Sequence, residues 1–130
     1  MNTDNKNVVI TSAVRTAIGS FQGSLKSMQG HDLGSIVVKE SIKKSKLKPD
    51  DIDELIMGQV LTGAVGQNPA RQAAINSGLP IEKTAYVINQ VCGSGLRSIA
   101  AGYQSIISND SSIIVAGGQE SMSNAPHAIN

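Results

Sequence analysis

The 130-residue sequence has one cysteine, no tryptophan, one phenylalanine and two tyrosines. A single cysteine excludes a disulfide within the chain, so a reducing cytoplasm is the expected location. The scarcity of aromatic rings for base stacking and a net charge of +1 argue against nucleic-acid binding. No apolar run approaches the roughly 20 residues that a membrane-spanning helix needs. We therefore expect neither nucleic acid nor a membrane among the partners.

The chain divides into a short tail and one domain. Residues 1–7 are polar and lack the apolar segment of a secretory signal, so they are predicted to be an amino-terminal tail. The remaining residues, 8–130, are long enough to bury a core, and 40% of the whole sequence is hydrophobic. They are predicted to form one domain.

Alternating strand and helix patterns follow the tail. Continuous apolar runs predict four buried strands, at 8–14, 52–61, 87–91 and 113–116. Stretches with helical periodicity separate them. The predicted order βαβαβαβ is typical of an α/β fold with a mostly parallel sheet covered by helices.

The cysteine lies at a predicted strand-to-helix junction, in the stretch V-C-G-S-G-L at 91–96. Unpaired N–H groups and the macrodipole at a helix start favour a thiolate at Cys92. Gly93 and Gly95 are expected to form the sharp turn and to leave the sulfur accessible. These residues predict a nucleophile, but a buried and inert thiol remains an alternative on this pattern alone.

A nucleophile needs an oxyanion hole and an acid–base group. The backbone N–H of Cys92 is a candidate oxyanion donor, whereas His31 and His127 have no catalytic context. One cysteine and two separated histidines do not form a metal-binding set, so we expect no metal. Gly93 and Gly95 do not begin a dinucleotide loop, because Ser98 occupies the position of the third glycine. The sequence therefore predicts half of an active site.

The helix after Cys92 has two contrasting faces, and no charged residue lies between Arg97 and Asp110. One face is apolar, with Leu96, Ile99, Ala100, Tyr103, Ile106 and Ile107. The opposite face is small, with Ser98, Ala101, Gly102 and Ser105. A helix of this kind is usually buried on both sides, so we expect another domain or subunit to cover the small face.

Five stretches of this sequence resemble the thiolases, specifically the amino-terminal part of the acetyl-CoA acetyltransferase type. They are V-V-I-T-S-A-V-R-T at 8–16, G-Q-N-P-A-R-Q-A-A at 66–74, N-Q-V-C-G-S-G-L at 89–96, V-A-G-G at 115–118 and Q-E-S-M-S-N-A-P at 119–126. The order and specificity of the last three stretches carry most of the resemblance. A condensing enzyme of the ketoacyl-synthase type is a weaker alternative, which the stretch at 119–126 disfavours.

The resemblance implies that Cys92 carries an acyl group during transfer between coenzyme A thioesters. Coenzyme A would be a substrate and product, and no permanently bound cofactor is implied. Met122 resembles a position near the acyl pocket. The family resemblance also implies a dimer or tetramer.

Thiolases also have a second half, which supplies a G-H-P-x-G-x-S-G histidine motif and a second reactive cysteine. Neither is present in this sequence. The chain is therefore expected to be a fragment that is inactive alone. The alternative function is association, by an α/β fragment that does not catalyse a reaction.

Overall fold

The computed structural model describes residues 7–129, which form three α-helices and three β-strands. In chain order these are α1 (Gly30–Lys44), β1 (Glu54–Gly58), α2 (Pro69–Ser77), β2 (Thr84–Ile88), α3 (Ser94–Ile107) and β3 (Ile114–Gly118), with short 3₁₀ turns at Pro49–Asp51 and Met122–Asn124. The strands form one parallel sheet in the order β2-β1-β3. The predicted α/β fold is thus confirmed, while residues 1–6 of the predicted tail lie outside the described part.

Helices cover both faces of the sheet. Successive side chains of a strand point to opposite faces, so Leu55 and Met57 of β1 face one way and Ile56 the other. Leu55 and Met57 belong to a core shared with α1 and α2. The complete cluster is Val38, Ile42, Ile52, Leu55, Met57, Ala70, Ala73, Ala74 and Leu79. Helix α3 packs on the opposite face, against β1 and β3.

Helix α2 has a side-chain cap at its start and a glycine at its end. Asn68 caps the helix by accepting a hydrogen bond from the Arg71 N–H at 3.1 Å. Pro69 occupies the first turn, where its missing N–H costs nothing. Gly78 ends the helix at a φ of 94°, a left-handed conformation that glycine adopts without strain.

The predicted first strand at 8–14 is wrong. In the described part of the chain this segment does not pair with any strand of the sheet. Val9 and Ile10 are 72% and 79% exposed. Its recorded polar contacts reach α1, where the Ser12 hydroxyl lies 2.6 Å from the Ser41 hydroxyl. An apolar run becomes a strand when another backbone pairs with it, and here the contacts come from a helix.

The predicted orientation of α3 is also wrong. Its buried residues are Ser94, Ser98 and Gly102, which belong to the small face. The Ser98 hydroxyl lies 2.7 Å from the carbonyl oxygen of Gly117, and this contact joins α3 to β3. On the apolar face, Leu96 is 75% exposed. The small face therefore packs on this chain's own sheet, and the apolar face is the one left uncovered.

The carboxylate of Asp53 holds the start of β3 beside the start of β1. Its Oδ2 atom accepts hydrogen bonds from the N–H groups of Ser112, at 2.7 Å, and Ile113, at 3.0 Å. The bond from Ile113, then that from Ser112, lowers the pKa of Asp53 below its ordinary value of 3.8. The ionised form therefore stabilises the fold at neutral pH.

Acidification is expected to remove this contribution. A lowered folded pKa gives stability that is fully present above pH 3.8 and is lost as the pH falls through the folded value. Asp53→Asn should lower the free energy of unfolding by about 1 kcal/mol at pH 7. The variant should then lose less further stability than the wild type between pH 7 and pH 3. Urea unfolding at both pH values measures this. Asp50→Asn, at an exposed position nearby, is the control, and equal pH dependence in both variants would contradict the assignment.

Candidate active site around Cys92

Cys92 lies in a tight turn between β2 and α3. Strand β2 ends at Ile88, whose carbonyl accepts a hydrogen bond from the Gln59 N–H at 3.1 Å. Helix α3 begins at Ser94 with Gly93 as its N-cap. Cys92 is exposed and its thiol is free. The predicted strand-to-helix junction is therefore present, with the sulfur open to solvent.

Val91 gives the turn its sharp conformation. Its φ is 49°, in the left-handed region that β-branched residues rarely adopt. Gly93 instead has a φ of −83°, and Gly95 lies within the first turn of α3. The glycines were expected to provide the sharp turn, but the unusual backbone angle belongs to the residue directly before the cysteine. Strain of this kind persists where surrounding contacts hold it.

Two side chains hold the turn from either end. The hydroxyl of Ser94 accepts the Gln90 N–H at 2.8 Å and donates to the Val91 carbonyl at 2.6 Å. The Asn89 Oδ1 atom accepts the Val91 N–H at 3.0 Å. These bonds satisfy three backbone groups directly before Cys92, namely the N–H groups of Gln90 and Val91 and the Val91 carbonyl.

Close packing brings the start of α3 directly onto the sheet. A Cβ atom added to Gly58 would lie 2.3 Å from the Ser94 carbonyl carbon and 2.5 Å from the Gly95 nitrogen. Such distances are impossible for real atoms, so the backbone of α3 can approach β1 because residue 58 has no side chain. A Cβ atom added to Gly118 on β3 would lie 3.4 Å from the Gly95 Cα atom. The position of Cys92 thus depends on Gly58.

Two further loops follow the carboxyl ends of β1 and β3. The Glu120 carboxylate accepts the N–H groups of Val60, at 2.8 Å, and Leu61, at 3.2 Å. Behind it, the Gln119 Nε2 donates to the Gln59 Oε1 at 2.8 Å, and both side chains are buried. Binding sites of parallel α/β sheets form at this edge. The two loops are therefore fixed to each other where a site is expected.

The structure does not bring Met122 and Cys92 into one pocket. Met122 is exposed in its 3₁₀ turn and lines a groove of about 960 Å³ between residues 8–21 and the surface of α1, α3 and β3. Cys92 is not among the residues that line this groove. The predicted acyl-pocket role of Met122 therefore remains a prediction.

The two histidines lie on other elements. His31 is on α1, where its Nε2 lies 3.6 Å from the Asp32 carboxylate, and His127 is exposed near the end of the described chain. Between residues 7 and 129, no three His, Cys, Asp or Glu side chains lie close enough together to hold a metal ion. None of the helices in that range is long and apolar enough to cross a membrane.

Tyr86 is the nearest residue to the turn with a shifted pKa. It lies on β2, two residues before the strand ends. Partial burial raises its pKa above the ordinary value of 10.0, Glu54 raises it further, and Arg97 in the first turn of α3 opposes both. The phenol is therefore neutral at physiological pH and contributes no charge beside the cysteine.

Comparison with known proteins assigns the family. The family model described as the N-terminal domain of thiolase matches residues 8–130. The chain belongs to the thiolase family. This thiolase chain is 57% identical over 120 residues to an acetyl-CoA acetyltransferase of Paracoccus denitrificans, a match covering 92% of the chain and 31% of that protein.

Other relatives give the same result. An acetyl-CoA acetyltransferase of Rhizobium meliloti is 52% identical over 123 residues, covering 95% of the chain and 31% of the relative. A cytosolic acetyl-CoA acetyltransferase of Rattus norvegicus is 48% identical over 127 residues, covering 98% and 32%. The thiolase chain therefore spans about a third of the length of these relatives.

The sequence of this thiolase chain does not predict the part that three residues play in or near the turn. Gly58 lies inside the predicted strand 52–61, where a glycine is a signal of close backbone approach. Glu120 belongs to one of the stretches that resemble the family, but the sequence gives no sign that its carboxylate accepts hydrogen bonds from backbone N–H groups. Val91 carried no signal, because a β-branched residue predicts an extended strand.

Proposed function

We propose that Cys92 is the acyl-accepting nucleophile of a thiolase-type acyltransferase, which converts two acetyl-CoA molecules to and from acetoacetyl-CoA and CoA. One observation carries this proposal. An exposed cysteine lies directly before a helix start, after a strained Val91 held by hydrogen bonds on both sides. The family and the names of the relatives supply the substrate class.

In the degradative direction, the Cys92 thiolate attacks the keto carbon of acetoacetyl-CoA. A sulfur–carbon bond forms, and the bond between the keto carbon and the adjacent methylene carbon breaks. The methylene carbon takes a proton and leaves as acetyl-CoA. The thiolate of CoA then attacks the acetyl-cysteine and releases a second acetyl-CoA. Sulfur suits this sequence because it is both a good nucleophile and a good leaving group.

The residues at the turn have defined roles in this proposal. The backbone N–H of Cys92 is the proposed oxyanion donor for both tetrahedral intermediates. Gly93 and Gly95 keep side chains away from the sulfur. Met122 is proposed to lie near the bound acyl group. The protein would use coenzyme A as substrate and product, with no permanently bound cofactor.

The proton donor is not assigned to this chain. His31 contacts Asp32 on α1, and His127 is exposed at a distant point of the sequence. We propose that the acid–base group lies outside residues 7–129 and that the chain supplies one half of the active site. The 130-residue chain should then show no thiolysis of acetoacetyl-CoA, and turnover by this chain would contradict the proposal.

Mass spectrometry tests the covalent step directly. The longer protein of which this chain is the proposed half, expressed from its own gene, is incubated with acetoacetyl-CoA and digested under acidic conditions that preserve thioesters. We expect one added acetyl group on the peptide that contains Cys92. A folded protein that gives no adduct, or an adduct on another residue, would show that the proposed mechanism is wrong.

A second candidate function is association without catalysis. The exposed apolar face of α3 favours it, since Leu96 and Tyr103 are 75% and 55% exposed and large apolar patches often mark interfaces. A homo-oligomer, either dimer or tetramer, is the proposed assembly. The cytosolic relative and the single cysteine support a cytoplasmic location.

A further inference from the structure

We infer that Glu120 is a positioning residue for Cys92, acting through the backbone of Val60 and the side chain of Asn89. This inference rests on the proposed role of Cys92 as nucleophile. It concerns the conformation of the turn, which can be measured without any acyl-CoA.

The first step joins the loops after β3 and β1. Glu120 accepts two successive backbone N–H groups, those of Val60 and Leu61, at 2.8 and 3.2 Å. Hydrogen bonds to a carboxylate are about twice as strong as those between neutral groups. The buried Gln59 also donates to the Leu61 carbonyl at 2.9 Å. Residues 59–61 are therefore held in one conformation, with the Val60 carbonyl at a fixed place.

The second step joins that loop to the cysteine turn. The Asn89 Nδ2 donates to the Val60 carbonyl at 3.4 Å, a long contact. The Oδ1 of the same amide accepts the Val91 N–H at 3.0 Å. One planar amide thus connects Val60 to the strained residue directly before Cys92. Fixing the Val60 carbonyl orients the Asn89 amide, and the amide in turn holds Val91.

The physical requirement for this support is the conformation of Val91. A left-handed conformation is strained for a β-branched residue and persists only where the neighbouring residues hold it. Loss of the Glu120 contacts would free the Val60 loop and then the Asn89 amide. Val91 could then relax, and Cys92 would move away from the start of α3. Ser94 tethers the turn independently, so we expect a partial loss of Cys92 reactivity.

The experiment measures the rate of Cys92 alkylation by iodoacetamide in the native protein, read on the Cys92 peptide by mass spectrometry. Glu120→Ala should lower this rate about three- to tenfold, the scale of coupling between contacting residues. Glu120→Gln retains one acceptor oxygen and should give an intermediate rate. Glu82→Gln, at an exposed position before β2, is the matched control and should leave the rate unchanged.

A double-mutant cycle tests the route through Asn89. Asn89→Ala should lower the alkylation rate to a similar extent, and adding Glu120→Ala should cause little further loss. A wild-type rate in Glu120→Ala, or effects of the two variants that multiply, would overturn the inference.

Urea unfolding of the same variants separates positioning from general stability. A residue with a merely structural role would lower the unfolding midpoint and leave the native alkylation rate unchanged. If Glu120→Ala fails to fold, Glu120→Gln carries the test alone, and a wild-type rate there overturns the inference. If the double-mutant cycle gives the expected alkylation rates but the protein forms no acetyl adduct, the proposed function is contradicted. The positioning role of Glu120 would still stand.

Discussion

Replacing Cys92 with serine is expected to abolish acyl transfer by the longer protein of which this chain is the proposed half. The hydroxyl of serine is not ionised at neutral pH, and no described side chain is assigned as a base that could activate it. Removing a covalent nucleophile costs on the order of 10⁴-fold or more in turnover. The acetyl adduct on the peptide that contains residue 92 should disappear completely, because Cys92 is the only cysteine among these 130 residues.

The measurement compares Cys92→Ser with Cys92→Ala and with a control at the other end of the same helix. Ser108 caps the carboxyl end of α3, where its hydroxyl contacts Ser105 and Asp110. Because Ser108 and Cys92 lie at opposite ends of α3, Ser108→Ala should form the acetyl adduct as the wild-type protein does. Circular dichroism should show the same fold for all variants, since Cys92 is exposed. Turnover by a folded Cys92→Ala protein would exclude the nucleophile role.

The presence of the three strands was predictable for a common reason, although β2 covers residues 84–88 and the predicted strand at 87–91 extends into the turn. Residues 54–58, 84–88 and 114–118 alternate with helices whose own start and stop signals are strong, such as Asn68 and Gly78. In such a succession, parallel neighbours are the expected arrangement. The segment at 8–14 has the same apolar character, yet it lies beside α1 without pairing. Local sequence describes the preference of a segment, whereas pairing depends on which backbone lies beside it.

The orientation of α3 shows a second limit of periodicity. The larger apolar residues predict a core-facing side, and in an isolated domain that reasoning is usually correct. Here Gly58 of β1 allows the close approach of Ser94 and Gly95. Along β3 the small residues Ser98 and Gly102 lie against the sheet, so close contact selects the small face. Packing depends on the shapes of both surfaces, so the residue pattern of one helix does not determine which of its faces packs against the sheet.

Candidate site residues were predictable where chemistry is carried by residue type. Cys92 is predicted to be a candidate nucleophile because it is a cysteine and lies at a strand-to-helix junction. The contacts that support it were not, because Glu120 and Val60 are 60 positions apart in the sequence and meet only through the sheet order. The left-handed angle of Val91 is equally non-local, since other residues impose it against its own preference.

Replacing Gly58 with alanine is expected to cause the largest loss of stability among glycine-to-alanine substitutions in the sheet. The new Cβ would lie 2.3 Å from the Ser94 carbonyl carbon and 2.6 Å from its oxygen, and both are backbone atoms of the first turn of α3. No side-chain rotation can relieve this overlap, so α3 must move away from β1. We expect a cost of about 3 kcal/mol or more, at the upper end for overpacked cores.

Gly117→Ala is the matched control, because Gly117 lies on β3 one residue before the partner of Gly58. Its added Cβ would meet only the Met57 sulfur, at 3.9 Å, which is an ordinary contact. Urea unfolding should separate the two variants clearly, and a Gly58→Ala protein as stable as Gly117→Ala would contradict the close packing of α3 on β1. Because the displaced turn carries Cys92, Gly58→Ala should also slow alkylation of the thiol. Stability and reactivity should therefore fall together at position 58 and remain unchanged together at position 117.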